Sequence, residues 1–162
     1  MIDLIQQEFL STFSATPLPV ALTRLVCALI MGAILGFERE RHGNSAGLRT
    51  HMLIATGACL FTLIAFDLIE LPENEKSTLR FDPIRLIEAV TSGVAFLAAG
   101  SIITQGTKVA GLTTGAGMWM AGAVGLCCGI GNIPLAALAT ALTLVVLWMI
   151  RHIMPGDGTD SL

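Results

Sequence analysis

Three ionisable residues, Arg24, Asp67 and Glu88, sit inside long apolar stretches of this chain. A charge within a membrane is costly unless it is paired or faces water. Arg24 lies four residues into the first stretch, Asp67 four before the end of the second, and Glu88 four into the third. At 1.5 Å per residue, all three fall about 6 Å below one membrane face. One cation and two carboxylates at one depth read as a shared network, either an ion or proton entry site or a three-helix clip. The excess of negative charge favours a cation or a proton.

A second group gathers at the opposite ends of the stretches. Glu38, Arg39 and Arg41 close the first; Gly47-Leu48-Arg49-Thr50-His51 opens the second; Gly111-Leu112-Thr113-Thr114 opens the fourth. Hydroxyls and free N–H groups at a helix N-terminus attract anions. The pattern reads either as an anion or lipid-headgroup site, with Arg39, Arg41 and Arg49 supplying charge, or as N-capping by Thr50 and Thr114 beside basic anchors. Glu38 would pair with Arg41 or Arg49, as a structural clamp rather than a catalytic dyad.

Enzyme signatures are absent from the sequence. It has no phosphate-binding glycine loop with lysine, no Gly-x-Ser-x-Gly and no His-Glu-x-x-His. No catalytic residue, metal ligand or cofactor is therefore assigned. His42, His51 and His152 are scattered, and no basic patch suits nucleic acid. Cys27, Cys59, Cys127 and Cys128 lie within apolar stretches and read as small packing residues. Glu70, Glu73, Glu75 and Asp82 would hold magnesium weakly, or form a solvated loop.

The elements that must position these groups are membrane helices. The chain of 162 residues is 54% hydrophobic and only 13% charged, against about 25% charged in soluble domains; its mean hydropathy is +0.77. Residues 20–37, 48–71, 84–104, 111–129 and 135–153 each approach the ~20 apolar residues of a membrane span. The reading is an all-α membrane protein of about five transmembrane helices over residues 17–154. An interfacial amphipathic helix is expected over residues 1–16, without a cleavable signal peptide, and a disordered tail over 155–162.

Arg39, Arg41, Arg49, Lys108 and Arg151 mark one face, and the other loops carry Lys76 and Arg80. By the positive-inside rule the first face is cytoplasmic, with the N-terminus outside and the C-terminus inside. At an offset of 64 residues, Ala46-Gly-Leu-Arg-Thr50 lies over Ala110-Gly-Leu-Thr-Thr114. The first four helices thus read as two parallel helix-pair repeats, an arrangement common in transporters. Ala28, Gly32 and Gly36, and again Gly117, Ala121, Gly125 and Gly129, recur every fourth residue. Such stripes permit close helix contact in lipid, within one chain or between subunits. A homo-oligomer, guessed as a dimer, and a membrane-protein partner are the expected associations besides lipid.

Several stretches carry a resemblance: Gly32-Ala-Ile-Leu-Gly-Phe-Glu-Arg-Glu-Arg41, Ala46-Gly-Leu-Arg-Thr-His51, Asp82-Pro-Ile-Arg85, Ser92-Gly-Val-Ala-Phe-Leu-Ala-Ala-Gly100 and Gly111-Leu-Thr-Thr-Gly-Ala-Gly-Met-Trp119. In order and spacing, from about residue 20 to 150, the chain resembles the MgtC/SapB family of bacterial inner-membrane proteins. The resemblance implies a non-enzymatic protein linked to magnesium limitation, acid stress and the survival of some pathogens inside host cells. It also implies restraint of the proton-translocating ATP synthase as one mode of action. Members often carry a soluble C-terminal domain, whereas this chain stops after the last span. Ala95 and Ala98 stand where the family pattern favours glycine, and Glu88 where an uncharged residue is expected.

Overall fold

The computed structural model describes residue 1 and residues 16–69, 82–105 and 108–153. The expected interfacial helix, the expected tail, and the loop carboxylates Glu70, Glu73 and Glu75 lie outside the described residues. Among the described residues there are five helices: α1 (Leu18–Arg41), α2 (Leu48–Ile69), α3 (Pro83–Gly100), α4 (Leu112–Gly129) and α5 (Ile133–Ile153). The first four are long and apolar enough to cross a membrane, and α5 contributes a shorter apolar stretch, Ile133–Met149.

Local chemistry sets the helix ends. Pro17 and Pro19 open α1, and the chain turns after it through Gly43 at φ +72°. Asp82 accepts the N–H of Ile84 at 3.0 Å and caps α3, with Pro83 in the first turn. Asn132 does the same for α5, accepting the N–H of Leu135 at 3.3 Å, after Gly131 turns the chain at φ +87°. These are N-cap and left-handed turn residues in their preferred places.

One stretch departs from the expected span over 84–104. The helix ends at Gly100, and Ser101 folds its hydroxyl onto the carbonyl of Ala98 at 2.7 Å. The chain then forms a short antiparallel hairpin, β1 (Ile103–Gln105) with β2 (Lys108–Ala110), in which Thr104 faces Val109. Gly111 follows at φ +84°, with its α-carbon so close to the Ser101 carbonyl that any side chain would collide. The backbone here pairs its N–H and C=O groups with itself rather than leaving them unsatisfied.

The helix starts keep the spacing of the internal repeat. Leu48 and Leu112 open α2 and α4 at the offset of 64, and Leu18 and Pro83 open α1 and α3 one residue beyond it. The two pairs nevertheless pack differently. Helices α1 and α2 form a tight hairpin, α4 packs on all four other helices, and α3 leans chiefly on α4. Ten of the eighteen residues of α4 are buried, so it is the axis of the bundle.

The packing is that of a protein solvated by lipid. Fully buried core positions are small, among them Ala28, Ala55, Ala121, Cys59 and Cys128. Large apolar side chains point outward, Phe96 at 81% and Leu53 at 73% exposure. Lipid tails are as apolar as these side chains, so burying them gains little and small residues that let backbones approach take the inside.

Candidate functional site

The basic end of the bundle is held by a polar clamp that joins α1, the turn after it, and α4. Arg39 is only 6% exposed. Its Nη2 donates to Asn44 Oδ1 at 2.8 Å, and its Nη1 lies 3.8 Å from Glu38 Oε2. Asn44 answers with its Nδ2 donating to the Arg39 carbonyl at 2.9 Å, and its Oδ1 also accepts from Thr114 Oγ1 at 3.5 Å. A buried guanidinium requires such partners, because an unpaired buried charge is strongly destabilising. Glu38 Oε1 further engages His42 Nδ1 at 3.2 Å.

His51, fully buried in the first turns of α2, donates from Nδ1 to the carbonyl of Gly47 at 2.9 Å. That carbonyl can only accept, so Nδ1 carries the hydrogen. Nε2 is buried and has no hydrogen-bond partner among the described residues, and it faces Gly117, where an added Cβ would come within 3.1 Å. Arg39 Nε and Glu38 Oε2 are likewise buried without hydrogen bonds. Three buried polar atoms at this end, His51 Nε2, Arg39 Nε and Glu38 Oε2, are thus left without hydrogen bonds among the described residues.

Neither threonine caps its helix as the sequence suggests. Glu40 Oε2 accepts the N–H of Leu48 at 2.7 Å, so the last turn of α1 caps α2. The N-cap of α4 is Gly111, without a side-chain hydrogen bond, and Thr114 is spent on Asn44. Thr50 and Thr113 are half-buried beside them. Arg41 and Arg49 are exposed, and among the described residues neither makes an ion pair. Glu38 thus joins Arg39 and His42 rather than Arg41 or Arg49. Asn44 and Glu40 escaped the sequence reading; the glycine turn at Gly43, which folds them back onto Arg39 and Leu48, was the available signal.

At the other end the structure does not pair Arg24 with either carboxylate. Arg24 Nη1 donates to the Gly129 carbonyl at 2.8 Å, and the guanidinium lies over Gly131. A cation at a helix C-terminus meets the negative end of the dipole and an unsatisfied carbonyl. Asp67 is half-buried and Glu88 exposed; among the described residues neither takes part in an ion pair. Helix α3 leans on α4 and so carries Glu88 away from α1.

The glycine stripes are used within one chain. A Cβ at Gly32 would sit 2.7 Å from the His51 carbonyl, and one at Gly36 2.7 Å from Leu48 Cα. Gly125 lies against the Ala55 carbonyl and Gly129 against Thr62. The guessed dimer thereby loses the spare stripe on which it rested.

Comparison with known proteins gives the family of the chain. The MgtC family model matches residues 25–154. YhiD of Escherichia coli K12, named "Putative magnesium transporter YhiD", is 36% identical over 128 residues, 76% of this chain and 57% of its own length. MgtC of Brucella abortus is 36% identical over 138 residues, 85% of this chain and 54% of its own. MgtC of Salmonella typhimurium LT2 is 35% identical over 128 residues, 79% and 51% respectively. The chain spans about half the length of these curated relatives. No solved structure matches it. With its apolar helices, its small-residue core and a family match over most of its length, the chain is a multi-pass membrane protein that belongs to the MgtC family.

Proposed function

We propose that this protein is a non-enzymatic regulator of ion or proton homeostasis in the bacterial inner membrane, linked to magnesium limitation and acid stress. It acts through helix contacts with itself and with membrane partners, of which the ATP synthase is one, with the Arg39 end and the C-terminus in the cytoplasm and the N-terminus outside. One observation carries this reading. The described interior between the two polar ends is apolar and closed by glycine contacts, with Ala28, Ala55, Ala121, Val124 and Cys128 buried there. Buried hydroxyls turn to their own helices, Thr62 to the Ala58 carbonyl at 2.9 Å and Thr140 to that of Ala136 at 2.8 Å, and among the described residues Thr56 Oγ1 is the one buried hydroxyl left without a hydrogen bond. A transport path needs polar groups offered to the permeant along its depth, and a single free hydroxyl, that of Thr56, does not make such a series.

A second reading, an oligomeric transporter of an ion or small solute, takes its support from the name of the YhiD relative. Reconstitution separates the two. Liposomes holding the purified protein and a pH or magnesium dye should show no flux above empty liposomes. Flux that disappears in Asp67→Asn would overturn the regulatory reading in favour of transport.

A further inference from the structure

Sulfur atoms from three helices meet in the core of the bundle, beside Arg24. Cys128 of α4 is fully buried, and its thiol donates to Met31 Sδ of α1 at 3.9 Å. Cys59 of α2 is fully buried too. It lies four residues after Ala55 and three before Thr62, on the same helix face. Ala55 meets Gly125 and Thr62 meets Gly129. Cys59 is therefore turned toward α4 between those two contacts, at the level of Cys128. The ionisable neighbours of Cys128 are Cys59, Cys27 and Cys127, and those of Cys59 are Arg24 and Cys27. The cysteines of α1, α2 and α4 thus gather at one level of the bundle.

Packing alone does not call for sulfur, since Ala28, Ala55 and Ala121 fill other core positions without it. Among the described residues no three His, Cys, Asp or Glu side chains come together to hold an ion. Zinc, which takes three or four such ligands, does not suit the place. Two thiols and a thioether suit Cu(I), a soft ion that selects thiolate and thioether sulfur. In a three-cornered site, metal–sulfur bonds of about 2.3 Å set neighbouring sulfurs about 4 Å apart. The Cys128 and Met31 sulfurs stand close to that spacing. Charge closes as well. Cu(I) displaces the protons of both thiols to water, and one monovalent cation with two thiolates leaves a single negative charge. The Arg24 guanidinium answers it, because Nη1 is fixed at 2.8 Å on the carbonyl of Gly129, the residue after Cys128.

From this convergence we infer that Cys59, Cys128 and Met31 form a buried Cu(I) site, with two thiolates and one thioether as ligands and Arg24 as the counter-cation. The site lies apart from the Arg39–Asn44–Thr114 clamp. It does not depend on whether the protein regulates or transports.

Competition for copper tests this. The full chain in detergent, kept anaerobic and reduced, is equilibrated with Cu(I) held by a coloured chelator. One Cu(I) per chain should pass to the protein, and X-ray absorption should find only sulfur bound to it. Cys59→Ser and Cys128→Ser should each weaken binding about 100-fold or more, and Met31→Leu and Arg24→Gln about tenfold, on the scale of changes in and around a metal site. Cys127→Ser, at a half-buried neighbouring position, should leave binding unchanged. Circular dichroism confirms that each variant is folded. The parent's stoichiometry and absorption spectrum decide the matter even where a serine variant fails to fold. No copper taken up by the parent overturns the proposal, and so does nitrogen or oxygen bound to its copper. Undiminished binding in a folded Cys59→Ser or Cys128→Ser variant overturns it too, as does a loss in Cys127→Ser equal to that in Cys128→Ser.

Discussion

Arg24 donates to the carbonyl of Gly129, 105 residues away, at 2.8 Å. A charge near the start of α1 therefore closes the far end of α4. This bond, together with the small-residue contacts of α4 on α2, ties the axis of the bundle to the tight α1–α2 hairpin.

Removing that tie should be felt as stability. Arg24→Gln should cost about 1–2 kcal/mol, the range for a charge-assisted hydrogen bond at a helix C-terminus. Glu88→Gln, at an exposed position, should change stability by less than about 0.5 kcal/mol. Thermal unfolding of the detergent-solubilised protein measures both. Equal losses for the two variants would restore a shared Arg24–Glu88 network.

Asn44 is the hinge of the polar clamp. Asn44→Ala removes an acceptor for Arg39 Nη2 and for Thr114, and a donor to the Arg39 carbonyl. Leaving a buried guanidinium short of partners should cost about 2–3 kcal/mol. Ser45→Ala, one residue on at an exposed position, should be neutral. Thermal unfolding of the two variants side by side checks the difference, and a neutral Asn44→Ala would show that the clamp holds nothing together.

The same change at three glycines should act with opposite signs. Gly125→Ala drives a methyl into the Ala55 backbone and should strongly destabilise the α2–α4 contact. Gly57 and Gly93 meet nothing within 4 Å of an added Cβ. Alanine there should stabilise by about 0.5–1 kcal/mol through the lower backbone entropy of the unfolded chain. Denaturation of the three single variants tests the ranking, and a gain at Gly125 would contradict the packing described.

The basic end shows where local pattern stops being informative. Pro, Gly and Asx residues are locally constrained, so the helix starts at Leu18, Pro83 and Ile133 and the turns at Gly43 and Gly131 follow from nearest neighbours. The halt of α3 at Gly100 was not legible in the same way. Its apolar run continues through Ile102 and Ile103, but the backbone there pairs across a hairpin with residues 108–110. Thr50 and Thr114 carry good capping chemistry, yet Glu40 takes the N–H of Leu48 at the start of α2, and the Thr114 hydroxyl is drawn to Asn44, which the turn at Gly43 brings beside it.

Sequence alone determined that the chain lives in lipid, that its helices alternate in direction, and which family it resembles, because apolar length, glycine spacing and charged helix ends are properties of consecutive residues. Tertiary structure alone decided the partners of Arg24, Arg39 and His51, and that both glycine stripes are consumed within one chain. Depth along a helix can be counted from a sequence, but the direction a side chain faces depends on how helices rotate about their axes. That rotation is set by contacts between residues such as Gly125 and Ala55, or Arg24 and Gly129, which lie 70 or more positions apart.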